Sequence, residues 1–265
     1  MKRKYTLNEL AFNKINENSA YWIGFLMADG CITTRKNSSP YLNLSISEKD
    51  KNHIDKFKKF LQSNQPTFIR KNHGFESDTS LACISISSYA LVKSLATYGV
   101  VPKKSHIARI CSQLKNNRNF WRGEIDGDGW ILTTFNHLPA IGLVGSETIV
   151  KQFEAFVKKL SPKCNAQSFM KKNKKSWQFQ TSGTHAYVVI KKLYNNCETA
   201  LDRKHELAAN IIKSNFKSSK KDFSDIRYND LLEIYNELGT WTKVAKHIDI
   251  TYTSLFRLMR RIKPV

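Results

Sequence analysis

The chain has 265 residues, with 43 Lys and Arg against 22 Asp and Glu, for a formal net charge of +21 at pH 7. Hydrophobic residues make up 41% and aromatics 11%, enough apolar surface for a packed core, which excludes general disorder. At about 100–200 residues per domain the length suggests one or two domains with a small appendage, and no apolar run approaches the roughly 18 residues of a membrane span.

The N-terminal Met-Lys-Arg-Lys is basic but has no apolar stretch behind it, so no secretory signal is expected. Cys31, Cys83, Cys111, Cys164 and Cys197 are odd in number and never spaced Cys-x-x-Cys. They fit free thiols in a reducing compartment, a cytoplasm or organelle matrix, better than disulfides or zinc. The charge excess points to a polyanion. Nucleic acid fits better than a membrane surface, because no long helix has one basic face and basic residues interleave with aromatics in Phe169-Met-Lys-Lys-Asn-Lys-Lys-Ser-Trp177.

In chain order, residues 1–20 read as an arm. Trp22-Ile-Gly-Phe-Leu-Met-Ala-Asp-Gly30 is an apolar helix ending in Asp-Gly, where the glycine is expected to supply a left-handed cap before a strand. Residues 40–47 alternate, with Leu42, Leu44 and Ile46 on one face. Ser47 then reads as the N-cap of a helix carrying Ile54, Phe57 and Leu61. Strand-like runs at 67–71 and 81–87 and a helical segment at 89–98 complete the unit.

The pattern then recurs. Trp121-Arg-Gly-Glu-Ile-Asp-Gly-Asp-Gly129 aligns without gaps on the first motif, 99 positions on, and Ser146 stands 99 after Ser47. A strand at 139–146, a helix with Ile149, Phe153, Phe156 and Leu160, strands at 167–171 and 176–182 and a helix at 185–194 follow. Each half, 21–104 and 120–204, reads helix–strand–strand–helix–strand–strand–helix, with 105–119 joining them. Two copies of one unit make a pseudo-twofold molecule suited to a partner of similar symmetry, and duplex DNA is the obvious one.

Gly24 and Ala28 lie one turn apart on one helix face, as do Gly123 and Gly127. Small residues on facing helices permit close backbone approach, which delivers Asp29 and Asp128 to one spot beside the pseudo-twofold axis. Two adjacent carboxylates repel unless a cation lies between them. With oxygen ligands only, Mg²⁺ is the natural candidate. A calcium loop fails, because Trp130 and Ile131 stand where that pattern needs Asp or Asn and Gly.

These paired motifs resemble the LAGLIDADG signature, and the chain resembles a single-chain, two-repeat LAGLIDADG homing endonuclease over about residues 21–215. The resemblance implies an α+β fold of two pseudo-twofold-related αββαββα repeats with antiparallel saddle-shaped sheets that face DNA. It implies domains at 1–104 and 120–215. It implies a divalent metal, Mg²⁺ with Mn²⁺ or Ca²⁺ able to substitute, held by Asp29 and Asp128 and the backbone carbonyls of Ala28 and Gly127. Lys104 and Lys204, 100 apart, match the family's active-site lysines. Arg122 and Glu124 depart from the usual motif, and are expected to pair with each other or with the opposite half. Met27 and Asp126 occupy matching positions, so the helix ends are not equivalent. The implied activity is metal-assisted hydrolysis of one phosphodiester per strand of a long asymmetric duplex site, leaving short 3′ overhangs, by a monomer.

Strand alternation places Asn43, Ser45, Gln178 and Gln180 on the open sheet faces. Arg35, Lys36, Arg70, Asn136, His137, Lys171 and Lys172 are companions for DNA in loops and strand ends. Residues 216–224 read as a basic linker. Residues 225–265 resemble a helix-turn-helix domain with helices at 228–238, 240–248 and 251–262, Ala245, Ile250 and Leu255 packing between them. Tyr252, Thr253, Ser254 and Arg257 would enter the major groove, and Arg260, Arg261 and Lys263 would meet phosphates. The competing readings are a non-cleaving DNA-binding regulator on the same fold, which would lack the acid pair, and a maturase that binds intron RNA.

Overall fold

A computed structural model describes residues 4–36, 38–74, 77–104, 110–172, 176–216, 226–248 and 250–262, apart from the side chains at 35 and 72–79. The chain divides into two compact units, Met1–Lys217 and Ser218–Val265.

Helix α1 (Glu17–Ala28) starts where the Asn16 side chain accepts from the Ser19 N–H and the Ser19 hydroxyl accepts from the Asn16 N–H, each at 2.8 Å. These bonds satisfy two otherwise orphaned donors at the helix start. Every residue from Ser19 to Met27 is buried, as expected of a helix that is apolar all round and runs through the core. The first repeat continues as β1 (Gly30–Arg35), β2 (Ser38–Ser47), α2 (Lys51–Phe60), β3 (Phe68–Gly74), β4 (Ser77–Ser87) and α3 (Tyr89–Thr97). The second runs α4 (Arg118–Asp128), β5 (Gly129–Thr133), β6 (Pro139–Gly145), α5 (Glu147–Leu160), β7 (Phe169–Met170), β8 (Trp177–Ser182) and α6 (Thr184–Tyr194). The two antiparallel sheets have equivalent strand orders, β1-β2-β4-β3 and β5-β6-β8-β7. The expected α+β duplication is present.

Both sheets bury one face. Leu42, Leu44, Ile46, Ile84 and Ile86 pack inward in the first, and Ile131, Ile141, Leu143 and Phe179 in the second. The halves join through α1 and α4, the most extensive helix–helix contact in the molecule. At their crossing a Cβ on Gly24 would stand 2.0 Å from the Phe120 carbonyl oxygen, and one on Gly123 would stand 2.1 Å from that of Tyr21. The motif glycines therefore set backbone-to-backbone contact.

Three local expectations are corrected. Gly30 and Gly129 do not supply left-handed caps: α1 ends on Asp29 in the right-handed region, and Gly129 is extended at φ −99° and ψ −178°. Glycine is required there by crowding instead, since a Cβ would lie 2.6 Å from the Leu26 carbonyl oxygen at Gly30 and 2.7 Å from the Ile125 Cα at Gly129. Ser146 caps α5 by accepting from the Ile149 N–H, but Ser47 makes no such bond, because a 3-10 turn over Glu48–Asp50 separates it from α2. A further helix, α7 (Asp202–Lys213), follows α6.

The second unit holds α8 (Tyr228–Leu238), α9 (Trp241–His247) and α10 (Tyr252–Ile262) around Leu231, Val244, Ala245, Leu255 and Leu258. Gly239 adopts φ +78°, the left-handed conformation glycine favours, to turn the chain between α8 and α9. Thr240 caps α9 by accepting from the Lys243 N–H. Ile250 packs on this small core as expected, while Asp249 and Lys263 lie outside the described residues. No described helix is long and apolar enough to cross a membrane.

Gly24→Ala should open the α1–α4 contact, at a cost of about 3 kcal/mol or more because both facing groups are backbone. Urea denaturation of the variant against the parent measures this, and an unchanged midpoint would refute close packing at that position.

Candidate active site

The crossing of α1 and α4 brings the two motif ends together. A Cβ on Gly127 would lie 2.3 Å from the Ala28 Cβ and 3.3 Å from Asp29 Oδ2. The Asp29 carboxylate thus reaches across the end of the opposite helix, beside Asp128. Burial pushes the Asp29 carboxyl up to about 6, the Asp128 charge pushes the same way, and Lys204, Lys104 and Arg203 oppose them. Asp128, the more solvent-open of the pair, is also raised by loss of surrounding water, against Lys104 and Lys204.

Both predicted lysines reach the site from outside the motif helices. Lys104 Nζ donates to the Gly30 carbonyl oxygen. Lys204, on α7, donates to the carbonyl oxygens of Ile125 at 2.6 Å, Asp126 at 2.8 Å and Gly129 at 2.7 Å. Gly30 and Gly129 are equivalent positions 99 apart, so one pseudo-symmetric contact recurs in both halves. The lysines nevertheless differ. An ammonium has three N–H groups, and Lys204 commits all three to the end of α4. Burial lowers Lys204 to about 8, against the charge of Asp126. Burial lowers Lys104 as well, against the charges of Glu124 and Asp128.

Behind the acids lies a polar network that sequence reasoning missed. Asp126 accepts from the Tyr21 hydroxyl at 2.7 Å, the Tyr194 hydroxyl at 2.6 Å and the Leu201 N–H at 2.8 Å. Because the Tyr21 O–H is given to Asp126, His53 Nε2, 2.9 Å away, must be the donor to Tyr21. Burial lowers His53 to about 3, and its remaining ring nitrogen has no partner, as fits a neutral ring. Asp126 thereby joins α1, α4 and α6 and ties down the residue preceding α7, whose next turn carries Lys204. The only sequence signal was an acid at an inward helix position, matched by Met27 in the first copy.

Arg122 and Glu124 do not pair with each other. Arg122 donates to the Thr199 carbonyl oxygen at 2.8 Å, the Leu193 carbonyl oxygen at 3.0 Å and Asn119 Oδ1 at 2.8 Å, and lies 5.2 Å over the Tyr21 ring. Glu124 is buried, is raised well above the carboxylate range by that burial, and keeps Oε1 without a hydrogen bond.

The residues read as DNA contacts spread over two regions. Asn43 and Ser45 stand opposite the buried face of β2, and Asn43 donates to the Thr33 hydroxyl at 3.2 Å. Gln178 and Gln180 occupy the matching face of β8. Lys36, Arg70, Asn136, His137 and Lys172 are exposed and Lys171 is half-buried, while Arg35 pairs with Ser38 at the end of β1 and its side chain lies outside the described residues. Tyr252, Thr253, Ser254, Arg257, Arg260 and Arg261 are exposed on α10 in the second unit.

Among the described residues no three His, Cys, Asp or Glu side chains close round one point. Two mutually repelling carboxylates at two helix C-termini suit an ion that takes one or two protein carboxylates and completes its shell with water and phosphate, as Mg²⁺ does. Without metal the pair costs stability. A folded-state Asp29 value of about 6 against the ordinary 3.8 means that stability falls as pH rises from about 4 to about 6 and stays reduced above. Asp29→Asn should therefore melt at a higher temperature than the parent in chelator at pH 7.5, the gap closing by about pH 4, and Mg²⁺ should raise the parent more than the variant. Calorimetry across that range, with and without Mg²⁺, reads both effects.

No protein-family model matches the chain, and no curated protein matches it. Solved structures do. A point mutant of I-SmaMI aligns with a TM-score of 0.50 at 11% identity, over 75% of this chain and 90% of that one. I-GzeII, a LAGLIDADG homing endonuclease in complex with its DNA target, gives 0.49 at 13% identity over 78% and 94%. I-WcaI bound to its DNA recognition sequence gives 0.48 at 18% identity over 76% and 87%. I-SmaMI is itself described as a LAGLIDADG homing endonuclease, and its likeness, together with two repeats packed through their motif helices, identifies the fold of this chain as the two-repeat LAGLIDADG fold.

Proposed function

We propose that the chain is a site-specific DNA endonuclease. It acts as a monomer, cutting one phosphodiester in each strand of a long asymmetric duplex and leaving short 3′ overhangs. The observation that carries this reading is the close approach of the Asp29 carboxylate to the end of α4, within reach of the Asp128 charge, in a chain of net charge +21. The acids, with the Ala28 and Gly127 carbonyls, would hold Mg²⁺, with Mn²⁺ or Ca²⁺ as substitutes. The chemistry such an ion would supply is a lowered pKa for water and neutralisation of the leaving 3′ oxygen.

The remaining roles belong to the chain's own residues. Lys104 spends one N–H on Gly30 and has others for a phosphoryl oxygen, where its charge stabilises the transition state. Lys204 is assigned a different part: its three bonds fix the end of α4 and so the position of Asp128. The open sheet faces present side chains to base edges, and surrounding lysines and arginines meet phosphates. The second unit adds a basic helix for a further stretch of duplex.

Asp29→Asn and Asp128→Asn should each reduce double-strand cleavage by on the order of 100-fold or more, the scale of losing one charge-stabilising group, while duplex binding persists. Full cutting by both variants in Mg²⁺ would overturn the assignment. Removing residues 218–265 should weaken binding and flatten its salt dependence by roughly 0.9 logarithmic units per lost phosphate contact. Equal affinity and slope before and after truncation would remove DNA contact from that unit.

A further inference from the structure

The two sheets differ in a way that the duplication does not require. No residue of β5, β6, β7 or β8 is charged: they read Gly-Trp-Ile-Leu-Thr, Pro-Ala-Ile-Gly-Leu-Val-Gly, Phe-Met and Trp-Gln-Phe-Gln-Thr-Ser. The first sheet, by contrast, includes Arg35 in β1 and Arg70 and Lys71 in β3.

Register fixes what the open face of the second sheet presents. Trp130 pairs with Gly142 and Gly142 with Gln180, so these three stand in one row across β5, β6 and β8. Leu132 and Ala140 form the next row, and Val144 pairs with Gln178 on the other side. A Cβ on Gly142 would stand 2.1 Å from Trp130 Cζ2. The indole therefore lies flat across β6, over the glycine that separates it from Gln180. Gln178 Nε2 donates to Gln180 Oε1 at 3.0 Å. That bond leaves the oxygen of Gln178 and the NH₂ of Gln180 for a third party, one acceptor and one donor side by side.

The major groove sorts bases by chemistry. Arg and Lys are the usual readers of guanine and Asp and Glu of cytosine, whereas a Gln acceptor–donor pair fits adenine and apolar atoms fit the thymine methyl. Among the strand residues of this face, Ser182 apart, only the last two kinds occur. We propose that the sheet of the second half reads an A·T-rich half-site, with Gln178 and Gln180 on adenine and Trp130, Leu132 and Val144 on thymine methyls. The first sheet, with Arg70 in the open-face row of Leu81 and Ser47, accepts G·C pairs. Lys171 and Lys172 follow β7, Lys171 donating its N–H to the Ser176 carbonyl oxygen at the margin of the sheet, beyond the rows that Trp130, Leu132 and Val144 define, and serve phosphates. This inference rests on the reading of the chain as a duplex-DNA binder.

Selection of a randomised duplex library by the full chain in chelator, followed by sequencing of the bound pool, tests it. One half of the selected site should be enriched in A·T several-fold over the other. Gln180 is exposed, so Gln180→Arg leaves the core intact. It should shift one or two positions within that half from A towards G by about tenfold, the scale of one bidentate contact, with the other half unchanged. Equal G·C content in both halves would overturn the proposal, as would a Gln180→Arg shift that is absent or falls in the other half. Stronger binding to a single-stranded T-rich oligonucleotide than to any duplex would also overturn it. Failure to select any duplex at all would sink the DNA-binding reading itself, an outcome distinct from an unbiased pool.

Discussion

Where α1 crosses α4, the chain has space for backbone and nothing else. A methyl group at Gly24 or Gly123 would overlap a carbonyl oxygen of the other helix, so the helices meet along their peptide groups. That contact fixes the relation between the two halves, and with it the placement of each motif's final acid. It also explains the burial of α1 on all sides, since one face meets α4 and the rest meets its own sheet and helices. The acids gain nothing from each other in this arrangement. Burial raises both, and the Asp128 charge adds to the rise at Asp29, which is the signature of a site whose geometry serves something other than stability.

Holding that geometry takes a second layer of polar contacts. Lys204 loses water on entering the interior, and three hydrogen bonds from a charged donor, about 1.5–3 kcal/mol each, offset that loss. The carbonyls it meets are at the end of α4, where helical amide partners run out, although that of Ile125 also accepts from the Gly129 N–H. Asp126 does the converse, taking donors from Tyr21, Tyr194 and Leu201 so that a buried carboxylate is satisfied. Through these two residues α7 is tied to α4 from both sides, and the tie includes α1 of the first half through Tyr21.

The duplication was legible because it is periodic: Trp22 and Trp121, Gly24 and Gly123, Asp29 and Asp128 recur at one spacing. Alternation in β2 and β8 correctly separated inward from outward side chains. What escaped reading depends on neighbours distant in sequence. Gly30 and Gly129 look like left-handed helix stops because Asp-Gly usually is one, whereas the crowding by Leu26 and Ile125 that requires them appears only once the strand has folded back. Ser47 failed as a cap because a single 3-10 turn shifted the helix start, a difference smaller than sequence patterns resolve. The difference in bonding between Lys204 and Lys104 rests on backbone carbonyl groups, which leave no mark in a sequence.

The halves are alike where they touch and unlike where they face outward. Gly24 and Gly123 are interchangeable because each must admit the other's backbone, and Lys104 and Lys204 both return to the equivalent glycine carbonyl. One turn earlier on α4 the symmetry stops, with Glu124 and Asp126 standing where the first motif has Phe25 and Met27. On the sheets it is gone: an indole laid on Gly142 replaces the polar pairing of Asn43 with Thr33. Helix packing tolerates no drift, because an added methyl meets backbone that cannot yield. An open sheet face carries no such constraint, so the two faces can differ in chemistry where the helix crossing cannot.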